Sequence, residues 1–215
     1  MSENQSKISS PTKYVVAVTG STGSGKSTAC AILRELGAYV VDADCLSRRV
    51  CEPHSDVCRE IRKTFGPEVF DTAGNLNREQ LARLVFADAE KRRLLEHLIH
   101  PAVHQLALGE FRLALSQGYN LIIYDVPLFF EAQLDKEQWR KVVLVKAPEE
   151  LCAARAFSRD GMNESEFKRR HAAQLPFALK EAKADLVVDN TGSTAELHEQ
   201  MVDLLRMLSE EHPPD

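Results

Sequence analysis

Nine residues, Gly20-Ser21-Thr22-Gly23-Ser24-Gly25-Lys26-Ser27-Thr28, lie between a β-branched run, Tyr14 to Val18, and a stretch with helical spacing, Ala29 to Leu36. Strand, loop and helix with G-x-x-x-x-G-K-[ST] at the centre constrain the fold more than any other feature of this 215-residue chain, because the pattern is the signature of a phosphate-binding loop in that context. Glycines at 20, 23 and 25 let the backbone turn its N–H groups inward at the positive end of the helix dipole, which makes an anion nest. Lys26 supplies a charge that can follow the β and γ phosphates of a nucleotide, and the Ser27 hydroxyl can enter the coordination sphere of Mg²⁺. Gly23, Ser24, Gly25, Lys26, Ser27 and Thr28 are therefore the expected ATP contacts.

Rival nucleotide folds fail on particular residues. Gly23-x-Gly25 could begin a dinucleotide fingerprint, but position 28 is Thr where the third glycine belongs, and a pyrophosphate turn has no use for Lys26. The chain has no N-K-x-D stretch to read guanine and no L-S-G-G-Q-like signature, so a GTPase switch and a transporter motor are both demoted. A kinase of a small molecule remains.

Four further short apolar runs read as strands: Tyr39 to Val41, Leu121 to Tyr124, Val142 to Val145 and Leu186 to Val188. Separated by helical sequence, they predict an α/β fold, a parallel five-stranded sheet with helices on both faces. Between the second and third strands the chain has helical periodicity only, at Asn77 to Phe86 and Ala89 to Leu98, with Pro101 expected to start a new helix running to about Gln117. The implied organisation is a mobile polar tail at 1–12, a nucleotide-binding core from 13–44, 119–154 and 184–212, a helical acceptor-binding insertion at 45–118, and a basic lid at 155–183.

Composition narrows the class. A net charge of -5 argues against a generic nucleic-acid partner. Five cysteines without a C-x-x-C pair make a disulfide framework or structural zinc site improbable. The apolar runs are far shorter than the roughly 20 residues of a membrane span, and the N-terminus lacks the apolar stretch of a secretory signal. The expectation is a cytoplasmic protein, monomer or small homo-oligomer, without membrane or nucleic-acid partners. The charge is unevenly spread: from Arg155 to Lys183 there are seven Lys and Arg against four acids, leaving the rest of the chain at -8. Such a basic segment suits a lid that closes over a transferring phosphoryl group, with Arg155 and then Arg159 as its phosphate contacts. Lys168 and Arg169 read as a solvated helix face.

Asp42 and Asp44 stand at the carboxyl end of the second strand, where open parallel sheets bind ligands. Both are expected in extended chain. Asp44 can orient an attacking hydroxyl, or it can cap a helix beginning at Cys45; spacing alone leaves both open. Asp125 ends the third strand, where a carboxylate can hold Mg²⁺ through water. Glu131 is either a helix-start carboxylate or a substrate contact. His97, His100 and His104 recur at three- and four-residue spacing, but a proline break between them disfavours a metal face.

Seven blocks, GSTGSGKST, VVDADCLSR, FGPEVFDTAGNLNREQLARLVFAD, IHPAV, DVPLFFE, RDGMNESEFKRRHAAQ and ADLVVDN, occur in this order, and together they resemble the dephospho-CoA kinase family from Tyr14 to about Leu208. The resemblance implies a fold related to nucleoside monophosphate kinases and ATP-dependent phosphorylation of the ribose 3′-hydroxyl of dephospho-CoA, giving coenzyme A and ADP. It makes Asp44 the base, Arg48 a substrate contact and His100 part of the substrate pocket, and it brings Asn190 near the adenine. The alternatives are a kinase of another small nucleotide-like substrate and a catalytically silent nucleotide-binding regulator. Ser21-Thr22 stands where family members often carry Gly-Ile.

Overall fold

A computed structural model describes residues 11–86 and 88–211. A 3-10 turn, Pro11–Tyr14, leads into β1, Val15–Gly20, whose six residues are all buried. The chain continues through α1 (Lys26–Glu35), β2 (Tyr39–Asp42), α2 (Ala43–Val50), α3 (Asp56–Phe65), α4 (Arg78–Phe86) and α5 (Ala89–Ser116). It closes with β3 (Ile122–Asp125), β4 (Lys141–Lys146), α6 (Glu149–Asp160), α7 (Glu164–Ala172), α8 (Phe177–Glu181), β5 (Leu186–Asp189) and α9 (Thr194–Glu210).

The five strands form one parallel sheet in the order β2-β3-β1-β4-β5. Parallel strands buried on both faces need apolar residues in succession instead of alternation, and β1, β3 and β4 are built that way. Val16, Val18, Ile123, Val143 and Val145 meet α1 and α9 through Ala29, Leu33, Leu197, Met201 and Leu208. Elsewhere in this unit Phe111 and Trp139 surround Tyr124, with the Trp139 ring stacked on Tyr124 at 5.3 Å. α9 starts on a capping box in which Ser193 and Glu196 exchange hydrogen bonds, satisfying two of the N–H groups that a helix start leaves open.

The chain divides into two compact units, one of residues 1–42 and 111–215 that contains the sheet, the other Ala43–Glu110. The helical unit has its own core, in which Ile61, Phe65, Val69, Leu81 and Val85 pack with Leu95, Leu98 and Ile99. Ser55 caps α3 by accepting the Cys58 N–H at 3.0 Å.

The structure corrects three sequence expectations. Pro101 does not begin a helix: it lies inside α5, which is continuous over 28 residues. An interior proline forfeits one hydrogen bond and costs roughly 3 kcal/mol, but Leu95, Leu98 and Ile99 before it and Ala107, Phe111 and Ala114 after it are anchored by packing, and Pro101 itself is exposed. Tertiary burial outweighs the local penalty, so the proline break invoked between the histidines does not exist. Secondly, Pro11 and Thr12 are buried in the 3-10 turn and do not belong to a polar tail; the remainder of the expected tail lies outside the described residues. Thirdly, Asp44 is neither in extended chain nor a cap, because α2 already begins at Ala43 and Asp44 falls in its first turn.

Candidate active site

The loop between β1 and α1 is shaped by two glycines that no other residue could replace. Gly23 and Gly25 have φ values of 80° and 92°, in the left-handed region that L side chains avoid. A Cβ at Gly23 would also run into the Cys152 carbonyl, and one at Gly25 into the Asn190 amide. Gly25 is the N-cap of α1 and offers no side chain to it, so the first-turn N–H groups of that helix are left for a ligand at the positive end of its dipole. Ser27 is exposed on this turn. That donor set, backbone amides in an uncapped helix start, fits a chain of phosphates.

Lys26 and Asp125 form an ion pair, both side chains about nine-tenths buried. β3 places Asp125 in register with Val18 of β1 and with Asp42 of β2, so two carboxylates stand side by side at the end of the sheet where the loop begins. Cys30 lies close enough for its thiol to be pushed well up, by burial first and then by the Asp125 charge, with Lys26 opposing. It stays a neutral thiol. Ser27, Asp125 and Asp42 supply hard oxygens suited to Mg²⁺.

A cleft of ≈ 190 Å³ opens beside the loop, lined by Gly23, Gly25, Thr28, Arg155, Arg159 and Asn190 among others. Arg155, on α6, donates to the Asn190 carbonyl at 2.9 Å. The buried Asn190 side chain donates to the Ser24 carbonyl at 2.8 Å. One N–H of its amide is thus engaged in holding the loop.

The lid expectation changes as well. Lys168 pairs with Glu164 and Arg170 with Glu166 along one turn of α7, the solvated helix face that was expected for Lys168. Lys180 is fully buried: it is bound to Glu131 at 2.6 Å and to the Ser21 hydroxyl at 3.2 Å. It is no mobile cation. Glu131 lies in a turn and starts no helix, which corrects the helix-start reading; its carboxylate is paired with Lys180 and accepts the Leu175 N–H at 3.0 Å. Neither Lys180 nor Gln174, whose side-chain oxygen accepts the Thr22 N–H at 3.1 Å, was singled out from the sequence. The available signal was a Glu closing an apolar block, DVPLFFE, which if buried would need a cation from elsewhere.

In the helical unit Asp44 and Arg48 are exposed on α2, and the Arg48 carbonyl accepts from Arg78 at 3.2 Å. Arg49 is paired with Glu110 at 2.5 Å. His97, His100 and His104 are exposed along α5. No group of three metal-ligating side chains occurs among the described residues.

A phosphate nest closing β1 of a 2-3-1-4-5 parallel sheet, with its lysine held by a carboxylate from the neighbouring strand, defines a P-loop phosphotransferase. Comparison with known proteins narrows the class. The chain belongs to the dephospho-CoA kinase family, whose model matches residues 14–196. It is 40% identical over 194 residues to the dephospho-CoA kinase of Syntrophotalea carbinolica, covering 90% of this chain and 92% of the relative. It is 44% identical to that of Anaeromyxobacter dehalogenans, covering 83% and 84%. A crystal structure from Thermus thermophilus superposes with a TM-score of 0.78 at 36% identity, covering 90% of this chain and 97% of that one. The dephospho-CoA kinase from Campylobacter jejuni superposes at 0.69 and 25% identity, covering 92% and 98%. No helix among the described residues is long and apolar enough to cross a membrane.

Proposed function

We propose that this protein transfers the γ-phosphoryl group of ATP to the ribose 3′-hydroxyl of dephospho-CoA, releasing coenzyme A and ADP. One observation carries the reading beyond family membership: the start of α1 is uncapped, enclosed by glycines that admit no Cβ, and faced by the Lys26–Asp125 pair. Open amides at a helix start with a lysine beside them are the groups that cradle a polyphosphate.

The hydroxyl oxygen attacks the γ-phosphorus while the bond to the β,γ-bridging oxygen breaks and ADP departs. Loop amides and Lys26 cradle the phosphates, so Lys26 exchanges Asp125 for phosphate oxygens when ATP arrives. Arg155 and Arg159, which line the cleft next to the loop, offset the charge on the transferring group. Mg²⁺ bound by Ser27, and by Asp125 through water, would neutralise further phosphate charge. Asp44 accepts the hydroxyl's hydrogen bond and takes its proton late, since a carboxylate is far too weak a base to remove a ribose hydroxyl proton in advance. Arg48 and His100 contact the acceptor. The helical unit therefore carries the acceptor's ligands and the sheet unit those of the nucleotide.

ADP release is measured with ATP and Mg²⁺ in the presence of dephospho-CoA, adenosine, AMP or pantothenate. Strong stimulation by dephospho-CoA alone is expected; no stimulation by it would overturn the assignment.

A further inference from the structure

Beneath the phosphate loop lies an ammonium group with no access to water. Lys180 is 0% exposed, and its partners are Glu131 and the Ser21 hydroxyl. Gln174, six residues earlier, accepts the N–H of Thr22. Two successive loop residues are thus gripped by two side chains from one short segment, and that segment is itself pinned where the Leu175 N–H meets Glu131. The stretch read from sequence as a lid is anchored on the loop at this end.

Stability alone does not account for the pair. Desolvating two ions is costly, and apolar residues of the same volume are often as stable or more so. What a buried ion pair gives and an apolar contact lacks is direction, because hydrogen bonds hold their atoms at set distances and angles. Here the held atoms belong to the first half of the phosphate loop. With Ser21 and Thr22 fixed, the amides that follow can converge on an anion without first being ordered, which lowers the cost of binding.

We propose that Lys180 and Glu131, with Gln174, are positioning residues for the phosphate loop: they set the Ser21–Thr22 backbone so that the nest is formed before ATP binds. This inference rests on the reading of the loop as the ATP site. The second oxygen of Glu131, Oε2, is buried with no partner among the described residues, so removing Lys180 alone would leave an uncompensated carboxylate and destabilise the fold. The informative variant removes both charges.

The full-length protein is compared as wild type, as Lys180→Met/Glu131→Leu and as Ser21→Ala/Gln174→Ala, by thermal melting, calorimetric titration with ATP and Mg²⁺, and steady-state kinetics. The apolar pair is expected to melt within a few degrees of wild type, yet to bind ATP about tenfold or more weakly, with the KM for dephospho-CoA changed less than about twofold. Ser21→Ala/Gln174→Ala, which keeps the ion pair and removes only the grip, is expected to weaken ATP binding about threefold or more with an unchanged melt. ATP affinity that returns to the wild-type value along with thermal stability in the apolar pair overturns the inference. Should the apolar pair fail to fold, wild-type affinity in Ser21→Ala/Gln174→Ala overturns it instead. A wild-type protein that fails to bind ATP refutes the underlying reading of the loop.

Discussion

The sheet unit and the helical unit carry their chemistry in opposite ways. Around the loop the polar side chains are mostly buried or half-buried, and several are held to one another: Lys26 to Asp125, Asn190 to Ser24, Arg155 to Asn190, Lys180 to Glu131 and Ser21. On α2 and α5, by contrast, Asp44, Arg48 and His100 are exposed. Backbone amides cannot reorient one at a time, so a phosphate nest has to be built in advance. An acceptor held by exposed side chains, the role proposed for these three, leaves its ordering cost to the moment of binding.

The largest effect should come from the exposed side. Asp44→Asn is expected to lower kcat by about a thousandfold, within the range for a general base, with ATP affinity by calorimetry nearly unchanged. Equal turnover would remove Asp44 from its role and with it half of the contrast. Next, Lys26→Met is expected to reduce kcat/KM for ATP by about a hundredfold or more, leaving the KM for dephospho-CoA intact. Arg48→Ala should do the reverse, raising the acceptor's KM about tenfold, the worth of one charge-assisted hydrogen bond at ~1.5 kcal/mol, without touching the KM for ATP. A variant that moves both constants together would show that the two units do not divide the substrates.

Thiol chemistry sharpens the contrast without touching activity. In the sheet unit burial pushes Cys30 well up and Cys152 to about 11, so little thiolate exists at neutral pH. Cys51 is likewise raised by burial, and Cys58 is buried too. Cys45, beside Asp44, is exposed. Iodoacetamide should give a single adduct by mass spectrometry of the native protein, at Cys45; a second adduct would reveal opening of one of the cores.

The smallest effects are electrostatic, and each unit supplies an example. Glu196 is held below its ordinary range by hydrogen bonds from the Ser193 backbone and then its hydroxyl; Asp71 is held down by Asn75, side chain first and backbone second. Because the folded values are depressed, each carboxylate stabilises the fold above its unfolded pKa of about 4, and the contribution is lost as pH falls through the lowered value. Glu196→Gln and Asp71→Asn should therefore lower Tm slightly at pH 6, and that difference should shrink as pH falls below about 4. A difference that stays constant as the pH is lowered would assign the effect to packing.

The strands and the loop were legible because their signals are local. A strand buried on both faces is a run of valines and isoleucines, and glycine spacing before a lysine has few alternatives. The Glu131–Lys180 pair joins positions 49 residues apart, and nothing in either neighbourhood marks a charge that will be buried. Pro101 misled for a related reason: its local preference is plain, while the packing on either side that overrides it is tertiary. Asp44 was placed at the right end of β2 but in the wrong backbone state, because α2 starts at once with no intervening loop.

Trp139 is the chain's one tryptophan, and it stacks on Tyr124, the residue immediately before Asp125 in β3. Its emission is consequently a single-site optical signal from the strand whose last residue holds Lys26. Titrating ATP while exciting at the red edge of the indole band would follow the exchange of Lys26 from carboxylate to phosphate in real time, with no label added.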